Sequence, residues 1–172
     1  MSTPKVIAIL LALAATPALA QGYGFGKPAT ADQIAAANIT VFPDGTGLPA
    51  GSGNAAKGAK IFEVRCVLCH GNKGAGKEGR YPALVGGQGS LGTGKPKKTV
   101  GSYWPYATTV WDFIHRAMPF NQPGSLPPND VYSLTAYILF LNGIIPENAE
   151  LNAQSLPQVK MPNRDGFVRA KH

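Results

Sequence analysis

The residues richest in chemistry sit in one pentapeptide, Cys66-Val67-Leu68-Cys69-His70. The 172-residue chain has two cysteines, both are here, and a histidine follows the second. Thiols three positions apart project from one face of a helical turn. A histidine directly after them can swing under an iron as its proximal ligand. This spacing suits covalent attachment of one haem c through two vinyl groups. Zinc and a redox disulfide use the same residue types. A structural zinc needs four ligands. The remaining histidines are His115, inside an expected helix, and His172, the last residue. A thioredoxin-like pair needs a strand–helix–strand setting, and none flanks the motif. Haem is the favoured reading.

A haem iron with His70 on one side has a second axial position. Met118, Met161, His115 and His172 are the candidates. Met118 is favoured, because it lies 48 residues after His70 on a loop stopped by Pro119, between two expected helices. Met161 falls in the tail, and a lone methionine more often fills a core. A thioether ligand raises the reduction potential relative to two histidines. It also closes the coordination sphere, which favours electron transfer over substrate or gas chemistry. A haem enzyme or gas sensor would need Met118 off the iron. Around the iron, the Pro82 carbonyl is placed to accept the other ring N–H of His70, as ligating histidines require. Tyr103, Trp104 and Tyr106 could reach the haem propionates or simply pack on the ring, with Arg116 as a charged alternative. His115 reads as a surface or edge histidine.

Three helices must position these groups. Ala55, Ala59, Phe62, Cys66 and Cys69 recur at helical spacing and form one apolar stripe that ends in the motif. Asn54 is its expected N-cap. A second helix is expected over Thr108–Ala117, with Val110, Trp111, Ile114 and Ala117 on one side. A third is expected over Asn129–Asn142, with Gly143 as its C′ cap. Residues 71–103 and 118–128 read as loops, and no segment reads as a convincing strand. A loop as long as 71–103 is unusual in a small domain and is acceptable if it wraps a cofactor.

The N-terminus adds a location. Lys5, an apolar run over Val6–Ala15 and Ala18-Leu19-Ala20 read as a secretory signal over residues 1–20, cleaved after Ala20. The run is too short to span a bilayer, so a periplasmic protein without a membrane span is expected. Residues 21–53 form a Gly/Pro/Ala-rich extended arm, 54–145 the haem domain and 146–172 an extended tail. The net charge is +7, and the window Lys57–Lys98 carries that excess, with nine basic residues against Glu63 and Glu78. Nucleic acid is not expected for an exported chain without a recognition motif. An acidic redox partner is, because such fields raise encounter rates.

The stretch "NAAKGAKIFEVRCVLCHG" resembles the first helix of class I cytochromes c. Gly58 and Phe62 match the residues that meet the last helix in that family, and Leu134 and Tyr137 match its other half. Pro82 and Leu84 resemble the haem-pocket P-x-L, and "AMPF" resembles the methionine-ligand loop. The resemblance implies an all-α class I cytochrome c fold: three main helices and long loops around one haem, here with added arm and tail. Over the mature chain, "VFPDGTGLPAGSG", "TVGSYWPYATTVWDFIHRAMPFNQPGSL" and "LPQVKMPNRDGFV" resemble the cytochrome subunit of sulfite and sulfane dehydrogenases. That likeness implies an electron-transfer subunit rather than the catalyst. It would take electrons from a molybdopterin subunit and pass them to a soluble cytochrome c, with arm and tail lying on the catalytic subunit. Sulfane dehydrogenase cytochromes can carry a second haem domain. This chain has one motif, which tilts the likeness toward the sulfite type or a shortened relative. A free-standing shuttle docking by its basic face is the alternative.

Overall fold

The computed structural model of the chain describes residues 25–168 and residue 170. The expected signal over 1–20 and His172 lie outside the described residues. The chain divides into two units, one ending at Ala37 and one beginning at Asn38. In the first, α1 (Ala31–Ala37) is exposed throughout. Its start is fixed by Thr30 and Gln33, each side chain accepting from the other's backbone N–H (3.2 and 2.9 Å), a reciprocal cap.

The second unit runs β1 (Ser52–Asn54), α2 (Ala55–Arg65), α3 (Val67–His70), α4 (Val100–Tyr103), α5 (Ala107–Ala117), α6 (Pro128–Leu141) and β2 (Glu150–Asn152). Single turns of 3-10 helix cover Asn72–Gly74 and Leu156–Gln158. Asn54 caps α2, its side chain accepting from the Lys57 N–H at 3.0 Å. At the other end of the fold α6 closes on a Schellman turn. Gly143 sits at φ 67°, its N–H reaches the Phe140 carbonyl at 2.8 Å, and the Ile144 N–H reaches Leu139 at 3.0 Å. Glycine takes that left-handed position without a Cβ penalty.

The crossing of α2 and α6 organises the core. A Cβ on Gly58 would overlap the backbone carbonyl of Ser133, so a residue without a side chain lets the two backbones touch. One turn on, the rings of Phe62 and Tyr137 meet edge-on, with centroids 5.4 Å apart. Phe62, Trp111, Tyr132, Leu134 and Leu139 are fully buried around this contact.

One sequence reading needs correction. β1 and β2 are real, antiparallel strands in register Ser52↔Asn152, Gly53↔Leu151 and Asn54↔Glu150. Each has three residues, too short for alternation to show. Part of the tail packs into this unit. Leu151, Leu156 and Met161 are buried in the core, and the arm from Asn38 onward belongs to the same unit. The segment 71–103 is loop apart from the turn at Asn72–Gly74 and α4.

Candidate haem site

The motif is shaped by a break in the helix. Cys66 ends α2 with φ −123° and ψ −32°, and α3 then makes one more turn, with the Cys69 and His70 N–H groups both reaching the Cys66 carbonyl (3.2 and 2.9 Å). Gly71 follows at φ 71°, and a Cβ there would press on the Gly76 carbonyl. The chain doubles back at once, and the Gly76 N–H bonds to the His70 carbonyl at 2.7 Å. Both thiols are free and half-buried. Burial pushes the Cys66 thiol up to about 11. That is a poor thiolate, unlike the lowered thiol of a redox pair.

His70 is half-buried, and burial holds its ring below the usual histidine range. The Pro82 carbonyl beside it pulls weakly the other way. Its Nδ1 is buried without a well-formed hydrogen bond. Pro82 is carried by the loop, which is tied down twice. The Leu84 N–H bonds to the Gly74 carbonyl at 2.8 Å. Asn142, at the end of α6, accepts from the Gly86 N–H (3.0 Å) and donates to the carbonyls of Leu84 (3.2 Å) and Ile138 (2.9 Å). The sequence reading used Asn142 only as a helix end. One buried amide at a helix cap was the available signal.

Met118 caps α5, its N–H reaching the Ile114 carbonyl at 3.1 Å. It packs on the same apolar cluster as Cys66, Val67, Leu84 and Trp104. Arg65 donates to the Gln122 side chain at 3.5 Å, which links the end of α2 to the loop after Met118. Met161 is buried in the core.

The expected outer residues are placed differently from one another. Trp104 meets Phe113 edge-on at 5.5 Å. Tyr103 and Tyr106 are engaged by the tail and by a lysine: Lys98 lies over Tyr103 at 4.9 Å, Phe167 meets Tyr103 at 5.2 Å, and Arg164 lies over Tyr106 at 4.3 Å. Arg116 grips Asp112 with two bonds of 2.8 and 2.7 Å. Sequence reasoning missed another pair. Trp111 Nε1 and His115 Nδ1 are buried, polar and unpartnered, on successive turns of α5 with their rings 4.9 Å apart. Their spacing of four was visible, but Trp111 read as core and His115 as edge.

Large apolar side chains are exposed in and near the motif and in the loop after Met118. Val64, Leu68 and Phe120 are 81%, 77% and 87% exposed. Every basic side chain between Lys57 and Lys98 is exposed, and Lys57 pairs with Asp130 at 3.2 Å. Among the described residues, no helix is long and apolar enough to cross a membrane.

Residues 55–142 match the sequence profile of the cytochrome c family. The chain belongs to that family. Its cofactor is therefore covalent haem c, and the polypeptide fits it: two free, half-buried thiols three residues apart, followed directly by a half-buried histidine. The cytochrome is also similar to a chain in the crystal structure of the sulfane dehydrogenase SoxCD from Paracoccus pantotrophus. The identity is 41% and the TM-score 0.79, over 86% of this chain and 72% of that one. A curated relative is the thiosulfate dehydrogenase of Stutzerimonas stutzeri (strain A1501), 30% identical over 94 residues. That match covers 52% of the cytochrome and spans 28% of the relative.

Proposed function

We propose that this cytochrome is the electron-accepting subunit of a sulfane-oxidising molybdenum enzyme, exported after cleavage at Ala20, and that it hands electrons on to a soluble cytochrome c. The likeness to the sulfane dehydrogenase chain carries this reading. It extends over 86% of the chain, well beyond the 55–142 haem domain, and so includes segments that a haem fold does not need. It also moves the substrate class from sulfite, toward which the single motif tilts, to sulfane sulfur.

In this reading Cys66 and Cys69 anchor the haem as thioethers, and His70 and Met118 hold its iron. The bound haem supplies a one-electron couple. The chain does the rest. The Pro82 carbonyl orients the His70 ring, Leu84 and Val67 exclude water, and Asn142 keeps the loop carrying Pro82 in place. Trp111 Nε1 and His115 Nδ1 join Tyr103, Trp104, Tyr106 and Arg116 as groups that would meet polar substituents of the haem. A closed iron has no position for substrate, so sulfur chemistry belongs to the partner. The reading is tested by co-purification with a molybdopterin protein and by reduction of the ferric cytochrome when that protein is given a sulfane donor.

The free-standing shuttle rests on a separate observation, the exposed basic side chains between Lys57 and Lys98. Steering by such a field weakens with salt.

A further inference from the structure

The arm meets α5 in a regular way. The Thr108 hydroxyl donates to the Pro43 carbonyl at 3.3 Å. An Asp112 carboxylate oxygen accepts from the Val41 N–H at 3.1 Å. The Arg116 guanidinium donates to the Ile39 carbonyl at 3.3 Å. On the helix the spacing is four, and on the arm it is two, in the opposite direction. Four helical residues cover about 6.0 Å and two extended residues about 6.6 Å. An extended segment can therefore be pinned once per turn along one stripe of a helix. Arg116 and Asp112 also hold each other through two bonds, so two of the pins act as a unit. The Val41 side chain, 8% exposed, is buried in the core beneath the strap.

The residue that follows this helix is Met118. We propose that Asp112 and Arg116 are positioning residues for Met118: by strapping residues 39–43 along α5 they fix the helix whose end presents the thioether to the iron. The inference rests on Met118 being the axial ligand. It gives the arm a role inside the cytochrome, besides any contact with a partner. Pinned at Thr108, Asp112 and Arg116, α5 has little freedom to slide or turn, so the sulfur is presented in one position. Releasing the last two pins frees the turn nearest Met118.

The experiment compares ferric holoprotein of wild type, Arg116→Gln, Arg116→Lys, Asp112→Asn and Met118→Ala. Three quantities are read: hydrogen exchange at the Val41 amide, the near-infrared sulfur-to-iron band and the reduction potential. Wild type shows the band and Met118→Ala loses it. Arg116→Gln and Asp112→Asn speed exchange at Val41 by about tenfold, as loss of a charged hydrogen bond implies. They also weaken the band and lower the potential, and Arg116→Lys recovers part of each. Faster exchange at Val41 with band and potential unchanged overturns the inference, and so does unchanged exchange. Absence of the band in wild type overturns the ligand assignment, and the inference with it.

Discussion

The two methionines of the folded domain show how burial separates residues of one type. Met118 ends a helix at half-buried depth against the edge of the core, whereas Met161 is enclosed by it. Met118→Ala is expected to abolish the near-infrared sulfur-to-iron band of the ferric protein and open the ferrous iron to carbon monoxide. Met161→Ala should keep the band and lose about 2–5 kcal/mol of stability, the usual cost of emptying a buried site. A second residue reports on the join between arm and core. The Tyr132 hydroxyl donates to the Pro49 carbonyl at 2.9 Å, and burial raises its phenol from 10.0 to about 12. The folded state therefore holds this proton more tightly than the unfolded one. Its contribution is complete below pH 10 and is lost as pH rises toward about 12. Tyr132→Phe should flatten the fall in melting temperature across that window, as followed by circular dichroism. At this scale the motif Cys66-Val67-Leu68-Cys69-His70 was legible, because its residues are neighbours in the chain. The contacts of Tyr103, Tyr106 and Arg116 with Phe167, Arg164 and Asp112 were not, because they are fixed by the path of the tail and by the helix stripe facing the arm.

At the scale of elements, long periodic helices were readable to within a residue or so. The second begins at Ala107 rather than Thr108, and the third at Pro128 rather than Asn129. Each has a local stop or start: Asn54, Met118-Pro119, Pro127-Pro128 and Gly143. The β1–β2 pair was not readable, since its hydrogen bonds join residues at opposite ends of the domain. Nor was the anchoring of the long loop by Asn142. Two substitutions test these contacts. Gly58→Ala should destabilise by about 1–3 kcal/mol, as overpacking does, because the Ser133 backbone cannot retreat; denaturant unfolding of the holoprotein would show it. Asn142→Ala removes the groups that hold Gly86 and Leu84 and leaves the loop's buried polar atoms unmatched. A loss of about 1–3 kcal/mol is expected, with faster hydrogen exchange at Leu84 and Gly86. Unfolding like wild type in either variant would contradict the packing described.

For the molecule as a whole, exposed charge bears on how it meets a partner. The basic residues between Lys57 and Lys98 are exposed, so reduction by an acidic redox protein should slow as ionic strength rises through the range where the screening length falls below about 10 Å. A rate that does not change with salt would remove steering from the picture. The cofactor was legible from five residues, but the donor was not, because a haem motif is shared by cytochromes serving many enzymes. The likeness of arm, domain and tail together points to sulfur oxidation. The most direct test mixes the ferric holoprotein rapidly with a purified sulfane-oxidising molybdopterin subunit and its sulfane-sulfur substrate, while the haem spectrum is followed. The proposed function predicts prompt reduction of the haem with enzyme and substrate together, and none with either alone. A haem that stays ferric in the complete mixture, yet is reduced readily by a chemical reductant, would contradict it.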